Sequence, residues 1–213
     1  MTAMNTLILV DVQNDFLPGG ALPVPEGNRI IPILNRLKPR FDHIVATQDW
    51  HPANHASFAA NHVGRGVGES IELQGLPQIL WPVHCVQGTG GADFAPGLDR
   101  QRWARIFHKG TNPEIDSYSG FFDNGHRQAT GLGDYLREQG ATDLYIAGLA
   151  TDYCVKFTVL DALQLGFRTH LIVDACRGVD FQPGDSQRAI EEMRAAGAVI
   201  VTAEEALREP VAT

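Results

Sequence analysis

Apolar residues in this chain gather into short runs that alternate with stretches of helical spacing. Thr6 to Val10 reads as a first buried strand, with Asp11 directly after it. His43 to Gln48, Trp103 to His108, Leu144 to Ala147, Thr169 to Val173 and Ala198 to Val201 read as five more. Residues 27–38 suit a short helix closed by Pro39, and Thr130 to Gln139 suits another closed by Gly140. Gly148 is expected to break the fourth strand. From Asp152 the spacing turns helical: Val155, Val159, Ala162 and Leu163 form a stripe, and Gly166 fits the left-handed position past the helix end. A later helix, capped by Asp185 or Ser186, runs to Ala196 before Gly197, and a last short helix follows the sixth strand.

Strands alternating with helices predict an α/β fold: a doubly wound, six-stranded parallel sheet covered by helices on both faces. Right-handed crossovers favour the strand order 3-2-1-4-5-6, with the switch point between strands one and four. Residues 50–102 are rich in Gly and Pro and poor in periodicity. A connection this long is usually functional or carries small elements of its own. It reads as an insertion that walls the site within a single domain spanning residues 1–213.

Composition narrows the function classes. With 213 residues and 44% hydrophobic content, the chain can bury a real core. A formal net charge of -8 argues against an electrostatic nucleic-acid binder. Cys85, Cys154 and Cys176 form no CxxC pair, so a disulfide framework is not expected and a reducing compartment is. The apolar run Leu7 to Val10 is too short for a signal peptide, and nothing approaches a membrane span. The expectation is a cytoplasmic protein that binds neither nucleic acid nor membrane.

Reactive side chains recur at the strands' carboxyl ends, where open α/β sheets bind ligands. Asp11 alone is most simply a helix cap, but it can also be a site residue. Cys154 falls in the first turn of its helix, where free N–H groups and the dipole lower a thiol pKa and can hold an oxyanion. Its alternative role is that of a small buried hydrophobe. Asp49 and His51, two apart, share one face of extended backbone and can hold zinc, iron or manganese. A third ligand is needed; His84, in the turn Trp81-Pro82-Val83-His84, is the first candidate, then His55 and His62. Lys109 ends the third strand. The stretch Gly64–Gly68 lacks the Lys-Ser/Thr ending of a phosphate loop.

Six segments in order resemble the nicotinamidase branch of the isochorismatase-like cysteine hydrolases. They are Val10-Asp11-Val12-Gln13-Asn14-Asp15-Phe16, Gln48-Asp49-Trp50-His51-Pro52-Ala53-Asn54-His55 and Trp81-Pro82-Val83-His84-Cys85-Val86. His108-Lys109-Gly110, Asp116-Ser117-Tyr118-Ser119-Gly120-Phe121-Phe122-Asp123-Asn124 and Gly148-Leu149-Ala150-Thr151-Asp152-Tyr153-Cys154-Val155 complete the set. The resemblance runs over nearly the whole chain. It implies a catalytic triad of Asp11, Lys109 and Cys154. It also implies a cis peptide between Leu149 and Ala150, beside an oxyanion hole formed by the Ala150 and Cys154 amides. One divalent metal, zinc ahead of iron or manganese, is implied on Asp49, His51 and His84. Phe16, Trp81 and Tyr118 match positions lining a pyridine pocket.

The implied reaction is hydrolysis of nicotinamide to nicotinate and ammonia in NAD salvage, with pyrazinamide as a second substrate. The implied partner is that small molecule, in a monomer or homo-oligomer. Two alternatives fit less well. An isochorismatase acts on a vinyl ether and in this family does without the cysteine. A non-catalytic redox sensor would suit a reactive Cys154 but not the intact Asp11 and Lys109.

Overall fold

The computed structural model describes residues 4–208. Six strands form one parallel sheet: β1 (Met4–Val10), β2 (His43–Asp49), β5 (Trp103–Lys109), β6 (Ala141–Leu149), β7 (Arg168–Arg177) and β8 (Val199–Val201). The other two, β3 (Ser70–Leu73) and β4 (Leu76–Ile79), pair as an antiparallel hairpin. The large sheet runs β5-β2-β1-β6-β7-β8, which is the expected doubly wound order. The chain moves outward from β1 through β2 to β5, then returns to β6 on the other side of β1. That reversal opens a crevice at the carboxyl ends of β1 and β6.

The helices are short. They are α1 (Ile31–Leu37), α2 (Leu132–Glu138), α3 (Lys156–Gln164), α4 (Asp185–Ala195) and α5 (Ala203–Arg208). Leu7, Ile8, Leu9 and Val10 are all buried, as expected of a central strand covered on both faces. Leu144, Ile146 and Ala147 of β6 and Val155, Val159 and Ala162 beneath α3 join the same core.

Two local expectations are corrected. Gly148 does not end its strand: β6 runs on to Leu149, with Gly148 paired to Val10. The glycine is needed for close approach, because a Cβ there would sit 2.1 Å from the Val10 carbonyl oxygen, at φ +134°. Neither Asp185 nor Ser186 caps α4. Gly184 holds the cap position; Asp185 instead accepts from the Gln182 N–H, and Asp180 takes the Ser186 N–H.

The β3–β4 hairpin lies inside residues 50–102. Its two-residue turn, Gln74-Gly75, has both residues at positive φ, the twist that suits a tight hairpin. The same segment carries Trp81 and His84 into the crevice.

Candidate active site

Parallel register builds the site. Asp49 closes β2 and Lys109 closes β5, and the two are register partners. Asp11 follows β1 at φ +47°, a left-handed conformation uncommon outside glycine. After β6 comes a cis peptide, Leu149–Ala150, and then a single wide turn, Thr151–Val155, that opens α3. The Ala150 carbonyl accepts from both the Tyr153 and Val155 N–H groups, which sets Cys154 between them at the crevice floor.

The fully buried Lys109 ammonium is the hub of the site. Its Nζ lies 2.6 Å from Asp49 Oδ1, 2.8 Å from Asp11 Oδ2, 2.9 Å from the Ser117 carbonyl and 3.4 Å from Cys154 Sγ. Asp11 Oδ1 also accepts the Thr47 hydroxyl at 2.7 Å. Asp11 therefore caps no helix; its carboxylate turns to Lys109, Thr47 and the Cys154 thiol. Burial alone would lower the Lys109 pKa, but Asp11, Asp49 and Cys154 raise it well above its ordinary value. Burial lifts the Asp11 carboxyl, and the neighbouring Lys109 offsets this only in part.

The sequence position of Cys154 suggests a depressed thiol pKa. The structure reverses that expectation. Burial pushes the thiol well above its ordinary range, Lys109 opposes, and Asp11 and Asp49 add to the rise. The resting sulfur is a neutral thiol beside a carboxylate, so forming a thiolate calls for a base.

A second constellation adjoins the first. Asp49, His51 and His84 are all buried, and one donor atom from each lies within 4.8 Å of the others. His51 Nε2 is 3.5 Å and His84 Nε2 3.8 Å from Asp49 Oδ2. The other ring nitrogen of each donates to a backbone carbonyl: His51 Nδ1 to Gly110 at 2.9 Å, His84 Nδ1 to Pro82 at 2.8 Å. These bonds leave both Nε2 atoms facing Asp49, the arrangement a metal ion requires of its ligands. Burial works against the Asp49 carboxylate, yet the Lys109 ammonium holds it far below its usual range. Burial depresses the His84 pKa to about 4, so the ring is neutral and free to ligate.

His55 and Asp116 form a neighbouring group with His51. His55 Nε2 is buried and has no protein partner, while its Nδ1 meets the Ser57 hydroxyl at 2.7 Å. An orphaned buried nitrogen beside two imidazoles and a carboxylate fits a divalent ion with bound water. His62 stands apart, with its Nε2 on the Ala56 carbonyl.

Above Cys154 the walls are aromatic. Phe16, Trp81, Tyr118 and Tyr153 line the pocket together with Leu22, Val179 and Ala150. Trp81 Nε1 donates to the Tyr118 hydroxyl at 3.0 Å, locking two rings in place.

Several contributors escape a sequence reading. Gln13 is one, although it lies within a quoted segment. Its Nε2 donates to the Asp49 carbonyl at 2.9 Å and to Ala92 O at 2.8 Å, and its Oε1 accepts the Asp49 N–H at 2.8 Å. That clamp fixes the backbone of a candidate ligand. Thr47 carried a usable signal, since its spacing of two from Asp49 puts both on one strand face. Leu22, Tyr153 and Val179 carry no comparable mark.

Known proteins resemble this chain in sequence and in fold. An isochorismatase domain model matches residues 5–205. The chain is 55% identical over 200 residues to the nicotinamidase of Escherichia coli (strain K12), covering 92% of this chain and 93% of that protein. A solved nicotinamidase/pyrazinamidase of Acinetobacter baumanii is similar at TM-score 0.92 and 46% identity, covering 94% of this chain and 97% of that one. A pyrazinamidase of Pyrococcus horikoshii, solved in complex with zinc, is similar at TM-score 0.77 and 44% identity, with 93% and 98% covered.

Proposed function

The chain belongs to the isochorismatase family, and we propose that it hydrolyses nicotinamide to nicotinate and ammonia in NAD salvage, with pyrazinamide as a second substrate. The observation that carries this reading is the contact of one buried lysine with Asp11, Asp49 and the Cys154 sulfur together.

Each residue then has a physical task. Phe16, Trp81 and Tyr118 clasp a flat heteroaromatic ring. A divalent ion on Asp49, His51 and His84, zinc ahead of iron or manganese, would offer a coordination position to the ring nitrogen. Asp11 takes the thiol proton, and the thiolate sulfur attacks the carboxamide carbon. The backbone N–H groups of Ala150 and Cys154 receive the oxyanion; one such donor contributes about 3–4 kcal/mol to barrier lowering. Asp11 returns the proton to nitrogen as the C–N bond breaks and ammonia leaves. Water, giving its proton to Asp11, then cleaves the thioester, releasing nicotinate and restoring the thiol. Lys109 holds the negative charge that moves between Asp11 and Cys154.

The site residues form one module with the 50–102 insertion, within a single domain acting on a small molecule. Among the described residues no helix is long and apolar enough to cross a membrane. The test is ammonia release from nicotinamide and from pyrazinamide by wild type and by Cys154→Ala. Release by wild type, and its loss in a folded Cys154→Ala, supports the reading. No release by metal-loaded wild type contradicts it.

A further inference from the structure

The pocket over Cys154 shares a wall with a second cavity. Tyr118 and Tyr153 line both. Behind them a groove runs between the β3–β4 hairpin, at Pro77 and Ile79, and the α3–α4 face, at Phe157 and Ala189. The two spaces differ greatly in room. The pocket has a volume of about 30 Å³ and the groove about 470 Å³. A flat ring suits the first; a ring with a bulky substituent does not, unless a wall is removed.

The two tyrosines are held very differently. The Tyr118 hydroxyl accepts from Trp81 Nε1 at 3.0 Å and Gln78 Nε2 at 3.2 Å, and Phe157 stacks on its ring at 5.5 Å. Tyr118 is thus pinned from three sides. Tyr153 is half-buried and meets its neighbours through the ring: Trp81 edge-on at 4.8 Å and Tyr118 at 5.5 Å. Among the described residues the Tyr153 hydroxyl has no hydrogen-bond partner. Truncating Tyr153 therefore strands no buried polar group, whereas truncating Tyr118 strands the Trp81 N–H, while Gln78 keeps the Ile79 carbonyl and Asp116.

The groove's charges answer one another. Lys156 pairs with Glu192 at 3.3 Å and also lies over the Phe157 ring, Arg188 pairs with Asp185, and the Asp152 carboxylate accepts the Val179 and Asp180 N–H groups. What remains for a ligand is largely the apolar surface of Phe157, Pro77 and Ile79, which suits an uncharged group.

We propose that Tyr153 is the specificity-determining partition of this site. It confines the site to carboxamides of a single small ring, and the groove behind it is a subsite for an uncharged aryl or alkyl substituent on that ring. This rests on the proposed nicotinamide hydrolysis and adds a limit on substrate size.

The test compares kcat/KM for nicotinamide, 5-phenylnicotinamide and 6-phenylnicotinamide in wild type, Tyr153→Phe and Tyr153→Ala. The number read is the ratio of phenyl-substituted to plain substrate, which a general loss of stability or activity does not move. Tyr153→Ala is expected to raise that ratio at least about tenfold for one isomer, the scale on which pocket shape discriminates. Tyr153→Phe, with the ring kept, is expected to hold the wild-type ratio. An unmoved ratio in Tyr153→Ala overturns the inference, as does a wild type that takes either phenyl compound as readily as nicotinamide. If Tyr153→Ala does not fold, Tyr153→Leu with a native circular dichroism spectrum is read in the same way. A wild type active on nicotinamide with an unmoved ratio sinks this inference alone. A wild type inactive on nicotinamide sinks the functional reading, and this inference falls with it.

Discussion

Lys109 and Asp49 are register partners across β5 and β2, and their side chains close to 2.6 Å at the carboxyl ends of those strands. The same ammonium reaches Asp11 and Cys154, so one buried cation serves the candidate metal shell and the candidate nucleophile together. Lys109→Met keeps the bulk and removes the charge. It leaves Asp11 and Asp49 buried without their cation, a change that costs roughly 3–5 kcal/mol. Urea unfolding should register a loss of that order, and nicotinamide turnover should fall by at least about 100-fold. Full stability in Lys109→Met would contradict the hub role.

Gly110 carries the carbonyl that orients His51, and it leaves no room for a side chain. A Cβ there would lie 2.3 Å from His51 Cε1, at φ +62°. Gly110→Ala should therefore displace the His51 ring. Loss of such orienting support weakens metal affinity by about 10–100-fold. Competition against a chelator of known affinity measures this directly, without recourse to activity.

Gln13 holds Asp49 by both its N–H and its carbonyl. Gln13→Leu removes these bonds and takes this partner from the buried Asp49 N–H and carbonyl, at about 1–3 kcal/mol for each group stranded, while the Ala92 carbonyl keeps the Gln48 amide. Thermal unfolding should show the loss, and metal affinity should drop with it. A Gln13→Leu protein with wild-type affinity would show that Asp49 needs no backbone clamp.

Burial raises the Asp11 carboxyl and lifts the Cys154 thiol well above its ordinary range. Asp11 must be ionised to accept the thiol proton, so kcat/KM should fall as pH drops through its raised pKa. The acid limb should then lie above about 4, where an ordinary carboxylate titrates. Because the thiol rests protonated, iodoacetamide should modify Cys154 near pH 7 no faster than an ordinary cysteine. Rapid alkylation there would mean a resting thiolate and no need for Asp11 as base.

Much of this architecture was legible in the chain because its signals are strong ones. Continuous apolar runs mark strands buried on both faces, and crossover handedness then narrows their order. Asp11, Asp49, Lys109 and Cys154 stood out because each follows or ends such a run. The β3–β4 hairpin was illegible for a physical reason: four-residue strands, one containing Pro77, joined by Gln74-Gly75 without a strong turn dipeptide. Gly148 misled because a glycine demanded by strand contact looks like one demanded by a turn. The helix-start position of Cys154 carries no sign of its desolvation, which only the packed site reveals. Lys109's bond to the Ser117 carbonyl leaves no trace in side-chain identity.

In the proposed reaction Cys154 carries the acyl group between two half-reactions. Rapid acid quench of wild type during turnover of nicotinamide, followed by peptide mass spectrometry, tests it most directly. A nicotinoyl group is expected on the peptide containing Cys154, absent from Cys154→Ala and discharged by hydroxylamine. Continued ammonia release by a folded, metal-loaded Cys154→Ala, with no acylated peptide in wild type, would contradict it and point to direct attack by water.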